Sequence, residues 1–385
     1  MIYLDNSATT RISEAALARY CEVSRDLFGN PSSLHAVGKA AEDVLRDARE
    51  AVRAAIGAKG GTVVFTASGT EANNLAILGR GRAKARYKSA HILTTAGEHA
   101  SVAAPMAALA EGGMKLAEIP TVGGRLDLDA LDALLTPDTV LVSAMLVNNE
   151  TGAHYDMRAL ADRLRGLSDC ALHADATQAL FKVPVDVRAL GVRMLTISSH
   201  KVEGPKGVGA LWLDDSLMKE KGGAPQILGG GQESGMRSGT ENVPAIAAFA
   251  TALREGTRDA AARMAAMLEV REYLLGRLTS DAALGEVKPV LPEVAAPHIL
   301  TLVLPAVKSE VMLHHLSSVG ISVSSGSACS SHGHVGHGAL PSFGLSQKES
   351  DSAIRVSISH HTTREDIDAL CAALGVGLSR LARRR

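Results

Sequence analysis

The sequence predicts an α/β protein, with a mostly parallel sheet covered by helices on both faces and a smaller α+β unit after it. Three observations predict it. Short apolar runs recur along the first part of the chain, and each runs into a polar turn rich in Gly, Ser, Thr or His. Helical patterns lie between those runs, and strands alternating with helices build parallel sheets. Past about residue 255 the order of elements changes, beginning with a long amphipathic segment.

The apolar runs are Val63-Val64-Phe65, His91 to Thr94, Val140 to Val147, Ala171-Leu172, Met194 to Ile197 and Val208 to Leu213. Their hydrophobicity is continuous rather than alternating, as in strands buried on both faces. Between the strands, Val44, Leu45, Ala48, Val52, Ala55 and Ile56 recur at helical spacing and predict a helix over residues 40–56 with one exposed face. Glu42/Arg46 and Arg46/Glu50 are spaced for ion pairs, and Gly57 is placed to end the helix. In the second unit the amphipathic stretch Asp259 to Leu278 precedes a strand over His298 to Leu304, a helix around Glu310 to Ser318 and strands at Ile321 to Ser324 and Ala353 to Ser359. A last helix opens at Thr362-Thr363-Arg364-Glu365 with capping-box spacing. The expected division is residues 1–255 and 256–385, with the first 15 or so residues packing on the second unit.

At 385 residues the chain exceeds what one core usually supports, which agrees with two units. Apolar residues at 46% and charged residues at 21% fit a globular enzyme and exclude a disordered or fibrous chain. Forty basic and 41 acidic side chains nearly cancel, so no global field draws the protein to nucleic acid or an anionic membrane. The basic cluster of Arg380 and Arg383-Arg384-Arg385 reads as a solvated tail. Met1-Ile2-Tyr3-Leu4-Asp5 opens without a secretory pattern, and no apolar run reaches the 18 or so residues of a membrane span. Cys21, Cys170, Cys329 and Cys371 are scattered without a C-x-x-C pair, which argues against disulfides and a Cys-rich zinc site. A cytoplasmic, reduced protein is expected.

In open α/β sheets ligands bind beyond the carboxyl ends of the strands, so the polar strand tails should converge. After Val63-Val64-Phe65 comes Thr66-Ala67-Ser68-Gly69-Thr70-Glu71 and a helical pattern, which offers free N–H groups and hydroxyls to a phosphate. It matches neither nucleotide fingerprint, G-x-x-x-x-G-K-[ST] or G-x-G-x-x-G. Asp175 directly follows a strand, where a carboxylate suits a protonated pyridine nitrogen or simply caps a helix. Lys201 and Lys206 both lie in the next strand-end turn; a lysine desolvated there can form a Schiff base, with Ser198 and His200 beside it to hold a phosphate.

These residues resemble the cysteine desulfurases, fold-type I pyridoxal-5'-phosphate (PLP) enzymes of the class V aminotransferase group. The resemblance runs almost end to end: Tyr3-Leu4-Asp5-Asn6-Ser7-Ala8-Thr9-Thr10, Phe28-Gly29-Asn30-Pro31-Ser32-Ser33, Val147-Asn148-Asn149-Glu150-Thr151-Gly152, Asp175-Ala176-Thr177-Gln178, His200-Lys201, Met236-Arg237-Ser238-Gly239-Thr240 and Ser324-Ser325-Gly326-Ser327-Ala328-Cys329. It implies that Lys201 carries PLP as a Schiff base, Asp175 pairs with the pyridine nitrogen, Gln178 bonds the phenolic oxygen and His99 stacks on the ring. Gly69, Thr70, Ser198 and His200 would bind the phosphate, and Thr240 would reach it from the other subunit of a homodimer. Asn149 would line the substrate side, and Arg355 would clamp the substrate carboxylate, a task that suits a guanidinium.

Cys329 discriminates among activities. It sits in a Ser/Gly loop, without the apolar neighbours that make Cys21 and Cys371 look like core thiols. The resemblance implies that its thiolate takes sulfur from L-cysteine, releases alanine and passes the persulfide to a protein acceptor: an Fe-S scaffold, a tRNA-thiolation protein or a molybdenum-cofactor chaperone. Alternatives are a selenocysteine lyase, another class V PLP aminotransferase, or a non-catalytic sulfur carrier. Departures from the family pattern are Ser199, Val202-Glu203 and the histidines His332, His334 and His337, which are spaced to bind Zn or Ni, to tune the thiolate, or to lie in a solvated loop.

Overall fold

The computed structural model describes residues 1–84, 90–326 and 338–381. Its centre is a seven-stranded sheet in the order Thr62–Thr66, Gly209–Leu213, Met194–Ser198, Ala171–Asp175, Thr139–Met145, His91–Thr95, Lys115–Ile119. Gly209–Leu213 runs antiparallel to both its neighbours, and the other pairings are parallel. Alternate residues of each strand enter opposite cores, which is why the runs read as continuous. Phe65, Ala174, Leu195 and Ile197 pack on one face with Val52 and Phe249, while Val64, Ala171, Met194 and Leu211 pack on the other with Ile77 and Met106. Each such fully buried large side chain contributes about 1.5–3 kcal/mol. The edge strand Lys115–Ile119 has only Ile119 buried, so its sequence carries no apolar run.

The helix expected over residues 40–56 spans Ala36–Ala55 and begins a turn earlier, because the His35 side chain accepts from the Gly38 N–H and caps it. Gly57 follows its end at φ 66°, the left-handed conformation that glycine adopts without a Cβ penalty. The helix's ion pairs differ from the expected ones: Lys39–Glu42, Arg46–Asp43 and Arg53–Glu50 form at i,i+3 spacing. Cys21, expected in a core, is exposed. Its helix Glu14–Asp26 buries Ala16 and Val23, and two residues from Val23 is about 200° around the axis.

A single helix, Val243–Ser280, runs through residue 255. Its first half, including Ala245 to Ala247, Phe249 and Leu253, lies in the large core; Met267, Val270, Leu274 and Leu278 lie in another. That second core is built on an antiparallel sheet in the order Lys288–Val290, Ile299–Val303, Ala353–Ser357, Ser324–Ser325. The expected strand at Ile321 to Ser324 is split, since Ile321–Ser322 pairs instead with the N-terminal Ile2–Tyr3. The last helix, Arg364–Leu381, opens on a capping box one residue later than expected: Thr363 Oγ1 accepts from the Asp366 N–H, and Asp366 accepts from the Thr363 N–H. Among the described residues no helix is long and apolar enough to cross a membrane.

Candidate active site

At the carboxyl ends of the parallel strands lies a cavity of about 260 Å³. Of the residues singled out from the sequence, Gly69, Thr70, His99, Asn149, Asp175, Gln178, Ser198, His200 and Lys201 line it together. Ser68, Asn73, Ser101, Met145, Val147 and Thr177 complete the lining.

Asp175 ends the strand Ala171–Asp175 and is 6% exposed. A buried carboxylate needs donors. Its Oδ1 accepts from the Thr177 N–H at 2.9 Å and its Oδ2 from Asn73 Nδ2 at 2.7 Å. Asn73 projects from the helix Gly69–Lys84 and also donates to Ser101 Oγ at 2.9 Å. Ser101 Oγ lies 2.8 Å from His99 Nδ1, and the Ser101 N–H donates to that same nitrogen at 3.1 Å. A backbone N–H can only donate, so His99 Nδ1 is an acceptor and the neutral ring carries its proton on Nε2. Burial pushes His99 below its usual pKa, and Lys201 adds to this while Asp175 opposes it. Asn73 and Ser101 thus tie the Asp175 carboxylate to the His99 tautomer.

Lys201 closes the short 3-10 turn Ser199–Lys201 after the strand Met194–Ser198. Its Nζ donates to the carbonyls of Ser7 and Ala8, the latter at 2.8 Å. The N-terminal segment is bonded to this turn throughout: Thr10 N–H donates to the His200 carbonyl at 2.8 Å, and His200 Nδ1 lies 3.1 Å from Thr9 Oγ1. Burial, followed by the charges of Lys201, Lys206 and Lys182, lowers His200 to about 4, so it is neutral at neutral pH. Gln178 Nε2 donates to the Ser7 carbonyl at 2.8 Å, which uses one of its two N–H bonds.

Other expected residues lie elsewhere. Lys206 is exposed. Arg355 is 6% exposed behind the cavity, where Nη1 donates to the Asn149 carbonyl at 2.8 Å and Nη2 lies 3.1 Å from Asp5 Oδ1. Its Nε is buried with no hydrogen-bond partner among the described residues. Thr240 is exposed and lines a separate depression with Arg237 and Glu241. Cys329, His332, His334 and His337 lie outside the described residues.

Two groups that sequence reading missed adjoin the site. Lys182 is lowered to about 7 by burial, and its Nζ donates to the Lys201 carbonyl at 2.5 Å. Glu98 is raised to about 8 by burial; its Oε1 accepts from the Met145 N–H at 2.7 Å and from Thr95 Oγ1. Asn73 left a signal in the sequence: with Ile77 and Arg80 it forms an i, i+4, i+7 row on a buried helix face, and a polar side chain in such a row needs a partner.

The residues fit PLP. A Cβ at Gly69 would lie 3.1 Å from Ser198 Cβ and 3.3 Å from Thr177 Oγ1, so glycine keeps the helix start open as an anion cradle. Asp175 retains acceptor capacity beyond its two bonds. Met145 and Val147 supply an apolar lining, and the nearby lysine can bond a carbonyl carbon.

Comparison with known proteins identifies the family. The class-V aminotransferase family matches residues 2–370. The chain is 34% identical over 385 residues to cysteine desulfurase IscS 1 of Archaeoglobus fulgidus, covering 99% of this chain and 98% of that one. It is 37% identical over 378 residues to a cysteine desulfurase of Cereibacter sphaeroides, covering 97% and 94%. Among solved structures, a NifS-like protein superposes with a TM-score of 0.89 at 30% identity, covering 98% of this chain and 99% of that one. SspA in complex with cysteine gives 0.79 at 26% identity, covering 94% and 100%. With the fold, the lysine and aspartate on one cavity and near full-length relatives in agreement, the chain belongs to the class-V aminotransferase family, among its PLP-dependent cysteine desulfurases.

Proposed function

We propose that the chain removes sulfur from L-cysteine, releases L-alanine and holds the sulfur as a persulfide on Cys329 for a protein acceptor such as an Fe-S scaffold. The observation that carries this reading is the convergence of Lys201 and Asp175 on one cavity, with Asp175 held by Asn73 and Thr177. The names of the relatives support the reaction, and the cysteine in the SspA complex supports the substrate.

Bound PLP supplies an electron sink that makes the Cα proton of an attached amino acid removable. Asp175 keeps a proton on the pyridine nitrogen by offering it a fixed, buried carboxylate. Gly69, Thr70, Ser198 and His200 hold the phosphate, and neutral His200 does so as a hydrogen-bonding group rather than as a charge. Lys201 would be the group that holds PLP and, as a free amine, a base for the substrate Cα proton, which requires its Nζ to leave the Ser7 and Ala8 carbonyls. His99, with its proton on Nε2, is a donor against the cofactor and substrate. Arg355 and Asn149 bind the substrate carboxylate, and the bond from Arg355 Nη1 to the carbonyl of the cavity-lining Asn149 supports their acting together. The Cys329 thiolate attacks the substrate Sγ; the S–S bond forms as Cβ–Sγ breaks, the electron pair stays with carbon, and protonation there gives alanine.

The exposed position of Thr240, away from its own chain's cavity, supports a homodimer in which it reaches the partner's phosphate. A cytoplasmic site of action, and a division into a PLP-binding unit through residue 255 and a smaller unit carrying the Cys329 loop, belong to the same reading. Turnover of L-cysteine with a reductant tests it, with alanine and sulfide both measured. Matched products, abolished in C329A and K201A, support the desulfurase; pyruvate, or alanine unaffected by C329A, overturns it.

A further inference from the structure

Glu203, two residues beyond Lys201, departs from the family pattern, and the structure gives it unusual company. Its backbone is held at φ 65° by two bonds to the N-terminal segment: its N–H donates to Thr10 Oγ1 at 2.8 Å, and its carbonyl accepts from the Ser13 N–H at 2.9 Å. These bonds anchor the Glu203 backbone beside the N-terminal segment. Oε2 takes Arg263 Nη1 at 2.8 Å, an arginine of the helix Val243–Ser280. Oε1 faces His361 Nε2 at 3.0 Å and His360 Nε2 at 3.8 Å. The two imidazoles lie side by side, with centroids 3.9 Å apart, and aim the same nitrogen at the same oxygen.

We propose that Glu203, His360 and His361 form a binding site for a divalent transition-metal ion of the zinc class, seated between the Lys201 turn and the turn entering the last helix. The three ligand atoms all lie within 4.8 Å of one another. Bonds of about 2.0–2.1 Å to a tetrahedral Zn2+ put ligand atoms roughly 3.3–3.4 Å apart. The separations of 3.0 and 3.8 Å from Oε1 bracket that spacing, so small side-chain rotations seat an ion. As a hydrogen-bonded cluster the arrangement is under-used, because the second Nε2 stops short of Oε1. Two imidazoles and a carboxylate suit zinc, and Arg263 on the free oxygen is the outer partner that orients a ligating carboxylate.

The site borders a surface depression of about 460 Å³ lined by Glu203, His361 and Asp366, with Arg11 and Glu14 on its rim, which leaves an access path and room for a water as fourth ligand. An ion there would clip together the Lys201 turn and the 360–361 turn, segments distant in sequence. Its role is structural and independent of the chemistry at Cys329.

The test uses untagged, PLP-loaded protein in an H332A/H334A/H337A/C329S background, which removes the other histidine cluster and the loop thiol. Co2+ and Zn2+ are titrated, with bound metal measured after desalting and the Co2+ visible spectrum recorded. The proposal expects about one equivalent per chain, a tetrahedral Co2+ band without thiolate charge transfer, and loss of both in H361A and in E203Q. Zn2+ should raise the thermal midpoint of the background protein and leave that of H361A unchanged. His361 is largely exposed, so H361A is the variant expected to fold normally, checked by PLP content. Absence of bound metal in the background, or binding that survives H361A, overturns the proposal.

Discussion

Replacing Glu98 by Gln should flatten the pH dependence of stability. The residue as a whole is partly exposed, but its carboxyl Oε2 is buried without a hydrogen-bond partner among the described residues. Burial raises the pKa from 4.5 to about 8, against the opposing bonds from Thr95 and Met145. Between those values the folded protein holds a proton that the unfolded chain has released, so stability falls as pH rises through the window. The slope is about 1.4 kcal/mol per pH unit, or roughly 3–4 kcal/mol from about pH 5 to 8. The stability this group contributes is fully present below 4.5 and lost above 8. Gln has the shape of the protonated acid and does not titrate. Urea unfolding of wild type and E98Q at fixed PLP, at several pH values, should therefore give curves that diverge as pH rises, with E98Q the more stable near pH 8. Parallel curves would mean that Glu98 is ionised in the fold and that the burial argument is wrong.

Further consequences follow at neighbouring residues. Lys182 shows the opposite sign: burial lowers it from 10.5 to about 7, so wild-type stability should rise with pH across that window, and in K182M urea unfolding should not show the rise. G69A places a Cβ 3.1 Å from Ser198 Cβ; overpacking of about 1–3 kcal/mol predicts roughly 5- to 150-fold weaker PLP retention, read by cofactor titration, with the apo fold intact. R355K keeps the charge but not the fork that joins Asn149 and Asp5, so KM for cysteine should rise on the order of tenfold while the PLP absorbance is unchanged. Because burial lowers His99, any acid limb it gives kcat should lie below the 6.5 of an ordinary histidine.

Much of the fold was legible in the sequence because strands covered on both faces leave continuous apolar runs, as at Met194 to Ile197. Direction leaves no such trace: nothing in Val208 to Leu213 marks it as the antiparallel strand. The long helix shows a periodic pattern only from Asp259, because from Val243 to Leu253 it is buried nearly all round and has no polar face to give a period. In the site, residues on strand ends and the helix start were legible, since local turn chemistry marks them. Asn73, Ser101, Lys182 and Glu98 owe their roles to partners brought together by the fold, such as Asn73 with Asp175, 102 positions away. The Asp5–Arg355 pair joins the two ends of the chain, which no local pattern encodes.

Sulfur transfer to Cys329 can be read in a single turnover. PLP-loaded protein is mixed with less than one equivalent of L-cysteine without reductant, alanine is quantified, and the peptide carrying Cys329 is weighed by mass spectrometry. One alanine should form for each sulfur atom added to Cys329. Alanine formed with that peptide unmodified, or pyruvate in its place, would contradict it.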